Sequence, residues 1–264
     1  MINYISVAEA VEMPGLRVVF SPGFPGPWSV AARIILELKN IDFIPVAQAI
    51  GEEDKVLRAW TGQESAPAAV LNKERGRSRW DEILLLAERL APTPSLIPAD
   101  EDQRATMFGL ANAICGEDGF GWNFRLYKMV AWEDSLAGRS SEPVFLTPEQ
   151  VAIMQFRYGD PSSSAEKAKA RMAAILRMLA DRLHANRKNG SPFLVGDSLT
   201  AADIYWTTFS TLVAPIRDEF CPMPAPYREM GEAMGADLGS AVDPILIEHR
   251  EHVLVNHCPL PLKF

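Results

Sequence analysis

The run Cys115-Gly116-Glu117-Asp118-Gly119-Phe120-Gly121-Trp122-Asn123-Phe124-Arg125-Leu126 gathers aromatic rings, a cation and three glycines inside an otherwise helical stretch. Glycine is unfavourable inside a helix, so such an interruption needs a local reason. The indole of Trp122 could stack on an aromatic or unsaturated molecule, and the guanidinium of Arg125 could hold a carboxylate or a thiolate. The same residues also permit a plainer arrangement, a kink in which Trp122 packs and Arg125 pairs with Glu117 or Asp118. Cys115 has no basic neighbour to favour its thiolate, so it reads as a buried helix residue rather than a nucleophile. His249, His252, His257 and Cys258 are of metal-ligating types, but no second cysteine pair or carboxylate spacing completes a zinc set. Packing or solvation is expected of them, and no metal.

These side chains need elements to position them. At Gly196-Asp197-Ser198-Leu199-Thr200-Ala201-Ala202-Asp203-Ile204-Tyr205-Trp206 the sequence writes a complete helix start. Thr200 can cap, Asp203 can reach back to the cap amide, and Leu199 and Ile204 flank the cap as a hydrophobic staple. A buried helix begins here. Upstream, residues 16–20 form an apolar run stopped by Ser21-Pro22-Gly23, which predicts a first strand. Residues 28–39 carry apolar side chains at helical spacing, with Pro27 suited to the first helical position. A strand at 42–46, a short helix at 52–60 and a strand at 68–71 follow. A turn with a short polar fourth strand at 76–80 and a helix at 81–90 complete the order β-α-β-α-β-β-α. The proline-rich stretch after it cannot be helical and reads as a linker at 92–99. Beyond it the pattern is helical. Thr147-Pro148-Glu149-Gln150 is a second capping box, and a helix runs from about residue 164 to 187 behind a serine cluster. Residues 215–226 are proline-rich and expected to be irregular, and the remaining tail is weakly patterned.

Composition narrows the function classes. The chain has 264 residues, 48% hydrophobic and 23% charged, with a formal net charge of −8 and no basic run, which disfavours a nucleic-acid partner. No apolar stretch approaches membrane-spanning length, and the first residues lack a basic leader. Three scattered cysteines make no disulfide framework and fit a reducing compartment, so a cytoplasmic protein is expected.

With the Thr200 helix start, three segments carry a resemblance. Gly26-Pro27-Trp28-Ser29 opens a first helix, Ser65-Ala66-Pro67-Ala68 precedes a strand, and Trp80-Asp81-Glu82 opens a third helix. In this order and spacing, across roughly residues 16 to 220, the chain resembles the cytosolic glutathione transferase superfamily. The resemblance implies a thioredoxin-like α/β domain at 16–91, a linker at 92–99 and an all-α domain with a tail at 100–264. It also implies glutathione as co-substrate, a homodimer, and a second-substrate pocket between the domains near Trp122 and Arg125.

It implies roles for single residues as well. A thiolate held at the first helix would use the amides of Trp28 and Ser29. It would also use a hydroxyl, from Ser29 or Ser21, because Gly26 stands where the family has serine or cysteine and Phe20 where other branches have tyrosine. Ser29 is the candidate catalytic residue, unless it simply fills the first turn. A cis bond before Pro67 would turn the backbone of Ala66 to pair with a peptide ligand. Asp81 would accept the ligand's α-amino group. Glu82 replaces the usual serine and would repel the α-carboxylate unless turned away or paired with a base such as Arg79. Glu64 lies near the place of a basic residue that meets the glycine carboxylate. The resemblance therefore implies a transferase, or a related lyase or isomerase, acting on an apolar or aromatic electrophile. The alternative is a non-catalytic binding or regulatory protein, and a disulfide reductase would want cysteine at position 26.

Overall fold

A computed structural model describes residues 2–49, 54–139, 147–158 and 165–264. Its order is α1 (Val7–Glu12), β1 (Leu16–Phe20), α2 (Pro27–Leu38), β2 (Ile44–Ala47), α3 (Lys55–Thr61), β3 (Ala68–Leu71) and α4 (Trp80–Leu90). Helices α5 (Glu101–Cys115), α6 (Phe120–Leu136), α7 (Pro148–Tyr158), α8 (Ala165–Lys188), α9 (Ala201–Phe209), α10 (Ala225–Leu238) and α11 (Pro244–His257) follow. The first part is a thioredoxin-like α/β layer and the second is all-helical. Among the described residues no helix is long and apolar enough to cross a membrane.

The sheet has the order β2-β1-β3. β1 runs parallel to β2, with Val19 opposite Val46, and antiparallel to β3, with Val18 opposite Ala69. All five residues of β1 are buried, as expected for a central strand covered on both faces. Arg17 is tolerated there because its guanidinium lies over the Trp60 ring and donates to the Asn72 carbonyl at 2.6 Å.

Several expectations are corrected. The fourth strand at 76–80 is a single antiparallel bridge, Ala69 to Arg77, because α4 begins at Trp80 and turns the chain off the sheet. The helix expected from residue 52 is described from Lys55, where the Asp54 side chain accepts from the Leu57 amide at 2.8 Å; residues 52 and 53 lie outside the described residues. The serine cluster before α8 also lies outside them. Residues 2–14 belong to the fold: Ile5 adds to the edge of β2, and Val7 and Ala10 of α1 pack with Val19, Val46 and Leu57. The tail is ordered as α10 and α11, each with proline in its first turn.

Residues 91–96 are tied to both parts. Lys39, buried at the end of α2, donates to the carbonyls of Ala91 and Pro94 at 2.7 and 2.6 Å and pairs with Glu88 at 2.9 Å. The Leu96 carbonyl accepts from the Ala201 amide at 2.8 Å. Helix α9 is the central post of the molecule, with all nine of its residues buried. Its Tyr205 hydroxyl reaches back to the Trp80 carbonyl at 3.1 Å, and its Trp206 indole donates to Leu246 of α11 at 3.0 Å. One apolar cluster runs from Val18 and Ile34 through Ala111 and Trp206 to Leu246, so the two parts share a core.

Candidate active-site cleft

The cleft is built outward from the start of α2. Gly26 caps that helix without a side-chain bond, and Pro27 brings no N–H, so the amides of Trp28 and Ser29 are the first donors of an uncapped helix end. Ser29 is buried, and its hydroxyl makes no hydrogen bond to another described residue. Ser21 is different: its hydroxyl donates to Gln48 Oε1 at 2.9 Å, and Gln48 in turn donates to the Glu64 carbonyl at 3.1 Å. The structure thus leaves Ser29, not Ser21, as the uncommitted hydroxyl. The Ala66-Pro67 bond is cis, as expected.

Trp28 is locked by the glycine run. Gly116 ends α5, so the Cys115 carbonyl lacks an intrahelical partner and accepts from the Trp28 indole at 2.9 Å. The same indole meets Phe209 of α9 edge-on, ring centroids 4.6 Å apart. Gly121 makes room for that contact: a Cβ there would stand 2.3 Å from Phe209 and 2.9 Å from Trp28. The glycines therefore separate α5 from α6 and admit Trp28, rather than kinking one long helix. Cys115 is no nucleophile, since burial pushes its thiol well above the ordinary range and it donates to the Ala111 carbonyl.

Two connected spaces result. An outer cleft of about 1240 Å³ runs past Trp28, Ala66, Pro67, Arg79 and Trp122, and an inner chamber of about 110 Å³ lies against Gly26, Ser29, Ala66 and Arg125. Trp28, Ser65, Ala66, Arg157 and Tyr158 border both. Trp122 packs edge-on against Tyr158 of α7, centroids 4.7 Å apart, and still lines the outer cleft. Arg125 lies over the rings of Phe24 and Trp28 at 5.8 and 6.0 Å, with no acid among the described residues paired to it. The pairing with Glu117 or Asp118 does not occur: Glu117 is exposed on the outer rim, and Asp118 faces Arg171 at 3.3 Å.

At α4 the wall of the outer cleft is Ser78, Arg79 and Trp80, and the two acids are engaged behind it. Arg79 grips Asp81 with two bonds, 2.9 and 2.8 Å. Burial raises the Asp81 carboxyl, but this grip outweighs it and holds the group below its ordinary range. Glu82 is turned away from the cleft. Its Oε2 accepts from the Ser78 and Arg79 amides at 3.3 and 3.4 Å, and its Oε1 meets Arg75, not Arg79, at 2.8 Å. Glu64, on the cleft wall, is held by Arg58 at 2.9 Å and by Arg157 at 3.8 Å. The acid at this position is thus neutralised from two sides. Away from the cleft, His249 is buried against Asp203, and burial pushes the Cys258 thiol up to about 12.

The fold has counterparts among solved structures. The chain is similar to a glutathione S-transferase from Xanthobacter autotrophicus Py2, at 18% identity and TM-score 0.56, covering 93% of this chain and 96% of that one. The chain has the glutathione transferase fold. It is likewise similar to a glutathione S-transferase from Methylobacillus flagellatus KT solved with GSH bound, at 13% identity and TM-score 0.59, covering 93% and 100%. A third likeness is to the beta-etherase LigF from Sphingobium sp. strain SYK-6, at 16% identity and TM-score 0.55, covering 90% and 99%. No protein-family model matches the sequence, and no curated protein matches it. Within the glutathione transferase fold, Trp28, Ser29, Ala66 and Arg125 meet at one chamber, Pro67 and Trp122 line the outer cleft, and Asp81 and Glu82 stand behind its rim. The sequence did not single out Arg157 and Tyr158 of α7, which border both spaces. The Thr147 capping box that starts α7 was its only signal.

Proposed function

We propose that the outer cleft binds glutathione and that the inner chamber takes an apolar or aromatic electrophile, so that the protein is a glutathione transferase-type enzyme. The observation that carries this reading is the meeting of the uncapped α2 end, the uncommitted Ser29 hydroxyl and Ala66 at one chamber mouth. In this reading Ala66 pairs by its backbone with the cysteinyl residue, as a short added strand. The cysteinyl thiol then lies at the α2 end, where the Trp28 and Ser29 amides and the Ser29 hydroxyl favour the thiolate. The thiol proton goes to solvent. The sulfur forms a bond to the electrophilic carbon, and the leaving group departs with its electron pair. Arg79, on the cleft wall with Asp81 bound behind it, faces the γ-glutamyl end, and Trp122 lines the same outer cleft.

Calorimetry with reduced glutathione tests the binding, and conjugation of 1-chloro-2,4-dinitrobenzene tests the chemistry. Ser29→Ala is expected to lower kcat/KM by about tenfold to a hundredfold, the value of a hydrogen bond to a charged group. No heat at millimolar glutathione would overturn the reading. Because Gly26 supplies no hydroxyl, a second reading stands beside it: heat without conjugation of any electrophile would mark a non-catalytic binding protein.

Glu82→Ser separates the sequence expectation from the structure. Since Glu82 is already turned onto its own backbone and Arg75, removing it is expected to change glutathione affinity by less than about twofold. The variant instead loses the cap of α4 and about 1 kcal/mol of stability. Burial raises the Glu82 carboxyl, but its bonds to Arg75 and to the Arg79 and Ser78 amides outweigh this and depress it. A depressed carboxyl stabilises the fold above its unfolded pKa and loses that contribution as pH falls through the folded one. The gap between wild type and Glu82→Ser should therefore be full near neutrality and close in acid, as urea titrations at a series of pH values will read.

A further inference from the structure

The inner chamber holds a buried cation for which no described residue supplies an anion. Arg125 is 9% exposed, its Nε is sealed from solvent without an acceptor, and no described residue pairs with or accepts from its guanidinium. Three other buried cations are provided for, while among the described residues Arg17 has only the Asn72 carbonyl and the Trp60 ring. Lys39 has two carbonyls and Glu88, Arg250 has the Ala214 carbonyl and Glu251, and Arg33 has Glu37. A desolvated guanidinium without a counter-charge is unfavourable, and its planar fork is the geometry that a carboxylate satisfies from both oxygens.

The rest of the chamber defines what carries that carboxylate. Phe24, Trp28, Trp132 and Tyr158 make its walls aromatic, with Met154 and Met230 between them. The Trp132 indole N–H is a second sealed donor without a partner among the described residues. The volume of about 110 Å³ is close to the ~150 Å³ of an apolar cavity that admits one benzene ring.

We infer that the inner chamber selects a monocyclic aromatic carboxylate as the acceptor, with Arg125 as the residue that reads its charge. The word acceptor rests on the transferase reading above; the binding preference does not.

The test compares 3-nitrobenzoate with its neutral isostere 3-nitrobenzamide, each titrated against tryptophan fluorescence without glutathione. The wild type is expected to bind the benzoate at least about tenfold more tightly, the value of one hydrogen bond to a charged group. Arg125→Gln should bring the ratio near one, and Arg125→Lys should keep part of it, having the charge but not the fork. If Arg125→Gln does not fold, Arg125→Lys decides: an undiminished ratio there overturns the inference. So does a wild-type ratio near one, or one unchanged in Arg125→Gln. A loss of the ultraviolet thiolate absorbance of bound glutathione in Arg125→Gln, with the benzoate preference kept, also overturns it by making the sulfur the anion that Arg125 serves. A protein that holds the benzoate preference but conjugates no electrophile would refute the transferase reading and leave this one standing.

Discussion

Replacing Asp203 with alanine is expected to lower the free energy of unfolding by about 3–5 kcal/mol. At roughly 2–4 °C per kcal/mol for a chain of this size, the thermal midpoint should fall by about 10 °C. The side chain is fully buried and accepts four hydrogen bonds. Oδ2 takes the Thr200 amide at 2.8 Å and the Thr200 hydroxyl at 2.7 Å. Oδ1 takes the Leu194 amide at 2.7 Å and meets His249 Nε2 at 2.8 Å. It therefore caps α9, fixes the 193–195 turn and docks α11 with one group. Alanine leaves buried donors without acceptors, each costing about 1–3 kcal/mol before any relaxation. Asparagine, of the same shape, should also destabilise, because its NH₂ must face one of the donors that an oxygen now accepts. Urea unfolding of both variants checks this; an asparagine variant as stable as wild type would show that the network is not what holds the post in place.

That network also shows what the sequence could and could not disclose. Thr200 and Asp203 are three residues apart, as are Thr147 and Gln150, so their caps are legible without any knowledge of the fold. Ser6 and Glu9 spell the same box at the start of α1, an equally local signal. Helix α11 was hidden for a different reason. It buries His249 and Arg250 as well as Val253 and Leu254, so its buried positions do not form an apolar stripe. The site divides in the same way. The cis bond before Pro67 and the use of the α2 amides were implied by the resemblance, which itself rests on short local segments.

Long-range pairings were not legible. Nothing in the spacing says that Glu82 meets Arg75 across the turn while Arg79 turns to Asp81, or that Asp118 faces Arg171 rather than Arg125. Those choices depend on which side chains the packed core brings together, and they alter the chemistry of the cleft. An acid that could have repelled a ligand is withdrawn, and a cation that could have paired with Glu117 or Asp118 meets no described acid.

The second large effect concerns the glycine that admits Trp28. Gly121→Ala is expected to destabilise the protein by about 1–3 kcal/mol, whereas Gly109→Ala should be neutral or stabilise it by up to about 1 kcal/mol. Both glycines lie in helices, so both substitutions gain helix propensity, and the surrounding space decides the sign. Around Gly109 nothing lies within 4 Å of an added Cβ. At Gly121 the new methyl would stand 2.3 Å from the Phe209 ring, which is fully buried in α9, and 2.9 Å from the Trp28 indole. Phe209 is fully buried whereas Trp28 is only partly so, and Trp28 is therefore expected to move. That shift strains its bond to the Cys115 carbonyl and displaces a wall shared by the outer cleft and the inner chamber. The variant should therefore lose glutathione affinity in calorimetry along with stability, while Gly109→Ala loses neither. If Gly121→Ala were destabilised yet bound glutathione as wild type does, the position of Trp28 would not set the shape of the ligand site, and the glycine run between α5 and α6 would serve packing alone.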